Sequence, residues 1–408
     1  MDAVGFYLYL ISMASYFLHF TERVPFFGTI RLDLLLILAI IIIKIINSRD
    51  IYTLGINRCH KMLNVFIATV LIITPFVEYP GSVIYQGLPN FLKVVVFFYF
   101  TVWFITSKKR IIVFITVFVL CQTFRFLEPT YLHLTQGYWG DKAFIQTSVG
   151  PEFMNRLSGA PLDYLNPNGL AFVIISTMPF IPFLARLSKY WKLYFLIVTP
   201  ISLYSLMLTG SRSGIIVFVI VAIYIVAKEK HKIILSTVSL GVFALIASQL
   251  SNVLMDRYRS VFDSNTMNHA TASGRIFGLI QDYKLGLIRP IFGFGLGTSL
   301  EANYNYANIY LRSHNLYLEV FIELGIVGFI VYLLYLREIY RNIFYKRKAI
   351  SVDFDNHMEQ FQMSLASFFI LTVLFCFASY NLSLYPFYMI GGLSISSLIA
   401  NKNLPVIQ

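Results

Sequence analysis

The sequence predicts an all-α integral membrane protein with about twelve transmembrane helices. Three observations carry that expectation. Of the 408 residues, 57% are hydrophobic and only 13% charged, against about a quarter charged in an ordinary soluble domain. The apolar residues gather in runs, Leu34–Ile43 (LLLILAIIII) being the plainest, and a helix that crosses a bilayer needs about 20 such residues. Lys and Arg fall into alternate connections between the runs, as the cytoplasmic loops of membrane proteins do.

In chain order the apolar segments lie near 3–20, 31–46, 62–79, 90–106, 110–127, 167–186, 191–208, 213–228, 231–250, 316–337, 361–380 and 384–400. The first two are shortened by His19, Arg31 and Asp33. The chain opens Met1-Asp2 with no basic stretch ahead of the first run, which predicts a retained anchor rather than a cleaved signal. With a cytoplasmic N-terminus, the inner connections hold Lys44, Arg49, Arg58 and Lys61, then Lys108, Lys109 and Arg110, then Arg186, Lys189 and Lys192. Further on they hold Lys228, Lys230 and Lys232, then Arg337, Arg341, Lys346, Arg347 and Lys348, with Lys402 in a cytoplasmic C-terminal tail. Residues 1–408 read as one multi-pass domain with two long outer loops, 128–165 and 251–313. Both are rich in Tyr, Gly, Asn and Arg, which predicts order, and long loops in compact proteins tend to be functional.

The net charge of +12 is explained by those inner connections; no recognition motif accompanies it, so nucleic acid is excluded as a partner and membrane lipids are expected. Cys59, Cys121 and Cys376 are widely spaced, which gives neither a disulfide framework nor a metal site, and no cofactor is expected.

Charged residues in such a chain carry the functional reading. Arg212 sits in Gly210-Ser211-Arg212-Ser213-Gly214 between two apolar runs. It either snorkels to the headgroups or faces a polar partner, since arginine at bilayer depth costs about 2.5–3.5 kcal/mol on insertion scales. Small residues, open backbone N–H groups and a helix N-terminus around a fixed cation suit a phosphate. Arg275, in the second outer loop, is a surface residue on its own, but with Arg212 it could fork onto a diphosphate. His314 precedes the helix expected from Leu316. The helix dipole and nearby arginines favour its neutral form, which is what a general base requires; the other reading is a hydrogen-bonding histidine at a helix start. Arg312 reads as an interface anchor. Glu319 and Glu323, one turn apart, read as acid/base groups or as buried partners for polar groups. The tyrosines Tyr304, Tyr306 and Tyr310 fit a membrane interface. Gly293-Phe294-Gly295-Leu296-Gly297 is no nucleotide loop, because no βαβ unit surrounds it.

These residues carry a resemblance. Arg156…Gly159…Asn166-Pro167-Asn168-Gly169, Thr209–Gly214, Gly274-Arg275, Pro290–Gly297, Ser313-His314-Asn315-Leu316 and Glu323-Leu324-Gly325 occur in the order and spacing of the O-antigen ligase/polymerase family of bacterial envelope enzymes. The chain resembles that family over residues 156–328; the first 150 residues share only its general topology. The resemblance implies a GT-C-like fold in the bacterial inner membrane and an active site in the long periplasmic loop. It implies metal-free glycosyl transfer from an undecaprenyl-pyrophosphate-linked glycan to an acceptor glycan. It implies that Arg212 and Arg275 hold the pyrophosphate and that His314 activates the acceptor, with Arg156, Arg312 and Glu323 as secondary candidates. It favours a repeat-unit polymerase, with a chain-length regulator protein as an expected partner, over a ligase acting on lipid A-core. A flippase for lipid-linked saccharide is the alternative outside the family. The stretch Ala160–Leu165 is longer than the family's short turn and leaves Asp163 without an assigned role.

Overall fold

A computed structural model describes residues 2–47, 57–147, 150–228, 241, 254–255, 269–345, 356–379 and 382–400. The expected helix over 231–250, the opening of the second outer loop and the basic residues of 346–348 lie outside these, apart from isolated positions.

The frame consists of helices, and polar caps mark several of their starts. They are α1 (Asp2–Leu18), α2 (Leu32–Ile46), α3 (Arg58–Ile73), α4 (Leu88–Phe104), α5 (Lys108–Gln136), α6 (Pro167–Thr177), α7 (Lys189–Leu208) and α8 (Arg212–Lys228). After these come α9 (His269–Gly286), α10 (Ser299–Ala307), α11 (Leu316–Tyr340), α12 (Asn356–Phe375) and α13 (Pro386–Ala400). Asn57, Ser107, Asn166, Ser188 and Asn315 each accept a backbone N–H of the first turn that follows, which satisfies donors that no intrahelical carbonyl can reach.

Seven helices among the described residues are long and apolar enough to cross a membrane: Arg58–Phe76, Pro80–Phe104, Lys108–Gln136, Pro167–Ala185, Lys189–Leu208, Leu316–Tyr345 and Asn356–Phe375. These seven fall on seven of the about twelve expected segments. Helices α1, α2, α8 and α13 fall on expected segments but run only 15 to 17 residues. α1 ends at His19, whose backbone is left-handed (φ 52°), and α2 begins after Arg31, also left-handed (φ 51°). The polar residues that interrupt the apolar runs are thus the places where the helices stop.

The outer loops are built rather than open. In the first, β1 (Phe144–Thr147) and β2 (Gly150–Phe153) form an antiparallel hairpin with Phe144 opposite Phe153, a small departure from the all-helical expectation. In the second, α9 and α10 replace what the sequence presented as loop. The core is aromatic and extends through the frame. α3 packs on α11 and α4 on α13, and Tyr335 donates its hydroxyl to the Phe387 carbonyl at 3.1 Å.

α11 breaks at Gly325 (φ 61°), where a Cβ would strike the Ile291 carbonyl. The break frees backbone groups that a non-aqueous setting must satisfy. The glycine-rich turn does so: Phe294 N–H donates to Ile322 O at 2.9 Å, Gly295 N–H to Glu323 O at 2.8 Å, and Ile326 N–H to Pro290 O at 2.7 Å. Gly293 (φ 74°) lies too close to Glu323 for any side chain. The motif Pro290–Gly297 is therefore a backbone splint on a broken helix.

Candidate active site

Several helix ends meet at one end of the frame. The Thr209–Gly214 turn joins α7 to α8 through its small side chains: the Ser211 N–H donates to Thr209 Oγ1 at 3.2 Å, and the Gly214 N–H to Ser211 Oγ at 3.3 Å. Arg212 opens α8 and is buried, 8% exposed. Arg156 braces this turn. Its Nε donates to the Thr209 carbonyl at 2.8 Å, and Nη2 donates to Asn168 Oδ1 at 2.8 Å. The Leu157 N–H also reaches Leu208 O at 2.9 Å. Arg156 is thereby a strut between the first loop, the start of α6 and the Arg212 turn.

Arg275 lies on α9 and not in a loop, half-buried. Burial, and after it the positive charge of Arg212, push its guanidinium below the usual range; the two cations feel one another. The imidazole of His314 is lowered in turn, first by burial and then by the charge of Arg275. His314 is exposed, while the surrounding protein and the Arg275 charge disfavour imidazolium. The structure thus joins Arg212, Arg275 and His314 in one electrostatic group.

The backbone around His314 is held from both sides. Asn315 Oδ1 accepts from Tyr317 N at 2.9 Å and Leu318 N at 3.1 Å, and its Nδ2 donates to Phe377 O at 3.1 Å. The Leu316 N–H donates to Cys376 O at 3.0 Å. From α9, the buried Asp282 meets Ser313 and accepts from Asn303 Nδ2 at 3.4 Å, while Asn303 Nδ2 also reaches Leu311 O at 3.1 Å. Burial pushes the Asp282 carboxyl up; its contacts with Ser313 and Asn303 hold it down. The sequence reading passed over Asp282, although it follows Arg275 by seven residues, two turns on, and so shares its face.

The remaining candidates lie apart from this group. Glu323 accepts from the Gly297 N–H at 2.7 Å and the Ser299 N–H at 3.2 Å; it fastens the glycine-rich turn and the start of α10, the buried-partner role rather than the acid/base one. Glu319 likewise accepts from the Leu382 N–H at 3.2 Å. Arg312 is exposed, and its charge acts on Glu323 rather than on His314. Among the described residues, no three His, Cys, Asp or Glu side chains gather as a metal site would require.

Asp163 acquires its partners from far along the chain. Arg125, in α5, donates Nε to its Oδ2 and Nη2 to its Oδ1, both at 2.8 Å. His19 Nε2 lies 3.2 Å from Oδ1, and Arg125 Nη1 donates to Gln122 Oε1 at 3.2 Å. Gln122 Nε2 in turn donates to the Tyr385 hydroxyl at 2.8 Å. Asp163 is buried, which alone would raise its carboxyl, but Arg125 and His19 overcome that and hold it at about 2. A cavity of about 240 Å³ opens beside this network, walled by apolar and aromatic side chains of α6, α12 and α13.

Two cations and a neutral histidine at a helix start can bind a diphosphate and accept a proton. Against known proteins, residues 197–333 match the O-antigen ligase family. That span holds Arg212, Arg275, Asp282, Arg312, His314 and Glu323, whereas Arg156 and the Asp163 network lie ahead of it. No curated protein matches the chain. This match, in a frame of membrane-length apolar helices, supports the resemblance to the O-antigen ligase/polymerase family.

Proposed function

We propose that the protein polymerises undecaprenyl-pyrophosphate-linked repeat units into O-antigen or capsular polysaccharide at the periplasmic face of the bacterial inner membrane, on a GT-C-like frame. The observation that carries this reading is the coupled group of Arg212, Arg275 and His314. An acceptor hydroxyl attacks the anomeric carbon of the donor sugar and inverts it. The bond from that carbon to the diphosphate oxygen breaks, and its electron pair leaves with the diphosphate. Arg212 and Arg275, with the N-terminus of α8, offset the growing negative charge. The hydroxyl proton passes to neutral His314, a step worth roughly 10²–10⁴ in rate. Arg156 keeps the Arg212 turn in place.

A ligase uses the same chemistry with lipid A-core as acceptor, and the description of the matched family, O-antigen ligase, favours that second reading. Deleting the gene and running the surface glycan beside the lipid-linked pool separates the two. Surface acceptors with a single repeat unit and no ladder mark a missing polymerase. Bare acceptors with long polymer still on the lipid mark a missing ligase. A lipid-linked pool confined to the cytoplasmic leaflet marks a flippase and sinks both.

A further inference from the structure

The transfer chemistry leaves the His19–Asp163–Arg125 cluster unused. We propose that the cavity beside it is a saccharide subsite that takes a sugar of the acceptor glycan, with His19 and Tyr164 as its contact residues. The proposal rests on the glycosyl-transfer reading and adds a location for the second substrate.

Position comes first. Leu165 and Gly169 line the cavity and flank the Asn166 cap of α6, whose Asn168 is bonded through Arg156 to the Arg212 turn. Leu316, also in the lining, is two residues beyond His314. The cavity therefore adjoins the candidate active site through Gly169 and Leu316.

Chemistry favours a sugar. The walls offer aromatic faces, and Tyr164 is 62% exposed at the rim. One end holds a charge pair already closed on itself, with His19, its side chain 30% exposed, presenting a ring edge. A sugar can hydrogen-bond to that edge and lay its apolar face on a ring. A prenyl chain would cover the open edge of His19 and return no hydrogen bond to it, which is costly. The volume of about 240 Å³ suits a sugar-sized group.

Local backbone strain points the same way. His19 sits in the left-handed region with φ 52° and ψ 48°, a conformation costly for a residue with a side chain. The turn ends α1 and sets the imidazole 3.2 Å from Asp163. A carboxylate–imidazole pair fixes which ring nitrogen faces outward, as directional recognition of a hydroxyl needs.

The test uses the full chain in nanodiscs and two probes. One is the oligosaccharide freed by mild acid from the lipid-linked pool of a deletion strain; the other is farnesyl diphosphate, which carries prenyl and diphosphate but no sugar. Tyr164→Ala and His19→Gln should each weaken oligosaccharide binding at least tenfold and leave farnesyl diphosphate binding within twofold of wild type. Tyr164 is exposed at the rim, so its replacement leaves the fold intact even where the His19 variant does not fold. Undiminished oligosaccharide binding in Tyr164→Ala, or none in the wild type, overturns the proposal. A loss confined to farnesyl diphosphate overturns it too and gives the cavity to the prenyl chain. Failure of the transfer reading registers separately, as an unchanged glycan ladder in Arg212→Ala and His314→Ala.

Discussion

Two charged clusters sit at the same end of the helical frame and are built on opposite principles. In one, Asp163 closes on Arg125 through two 2.8 Å bonds with His19 alongside, so the charges balance within the protein. In the other, Arg212 and Arg275 are like charges that act on each other, and Arg275 acts on His314. Concentrating positive charge in a partly buried place raises the free energy of the empty protein, and an anionic substrate lowers it. The first cluster fixes a loop; in the second, two like charges beside a histidine offer a place for an anionic ligand.

The largest effects should come from the arginine–histidine cluster. His314→Ala should lower transfer by roughly 10²–10⁴, with the protein still present in the membrane at wild-type amount. Arg212→Ala should abolish the ladder, and Arg212→Lys should also impair it, since an ammonium cannot fork onto a diphosphate. Assays of polymer length per turnover, beside immunoblots, would check these; wild-type ladders in either alanine variant would erase the distinction between the clusters. The balanced cluster should respond in stability instead. Asp163→Asn leaves Arg125 buried without its carboxylate, at a cost of roughly 3–5 kcal/mol, to be read as earlier thermal unfolding in detergent. Asp163 is held at about 2 when folded and titrates near 3.9 in an unfolded chain. Its contribution is therefore complete above about pH 4 and fades as the pH falls towards 2. Wild type should lose stability across that window, and the Asn variant should not lose this part of it.

Next in size is a pH effect that tests the coupling itself. Burial and the Arg275 charge lower His314, so the base should remain neutral and active to a lower pH than a free imidazole would. Removing the cation with Arg275→Gln relieves one of the two causes and lets the imidazole rise. The acid limb of the pH–rate profile should then move to higher pH, apart from any fall in maximal rate. A limb that stays in place would mean the two groups do not communicate.

The clusters also differed in how far the sequence disclosed them. Arg212 and His314 stand out because each is a polar residue at the edge of an apolar run, where its cost invites explanation. The frame was legible for the same reason, since long apolar runs have few structures open to them in a bilayer. Helices α1 and α2 came out shorter than a span because His19 and Arg31 turn the backbone left-handed, and a polar residue shows in sequence as an interruption without showing its φ. The Asp163 network was hidden because its members stand 38 and 144 positions apart from Asp163 along the chain, and only the packing of α1 against α5 brings them together. The helix α9 was hidden by its composition: Gly and Ser beside Arg275 read as a loop, and tertiary contact with α11 overrode that preference.

The smallest expected effect concerns Asp282, which touches neither cluster's charge and so sharpens the comparison from outside. It shares a helix face with Arg275 and meets Ser313, the neighbour of His314, while Asn303 links it to the Leu311 carbonyl. Its task is to hold the segment that presents the histidine. Asp282→Asn keeps size and an acceptor for Asn303 but alters the contact with Ser313, a change on the scale of one ordinary hydrogen bond, about 0.5–1 kcal/mol. Turnover should fall roughly two- to fivefold with the half-saturating donor concentration unchanged, because the groups expected to hold the diphosphate are untouched. Asp282→Ala should do more, since it also strands Asn303. The acid limb should move less in either variant than in Arg275→Gln, as Arg275 still faces the ring. If the Asn variant instead raised the donor requirement and left turnover alone, Asp282 would belong to the binding of the anion rather than to the placement of the base, and the arginine–histidine cluster would extend one step further along α9.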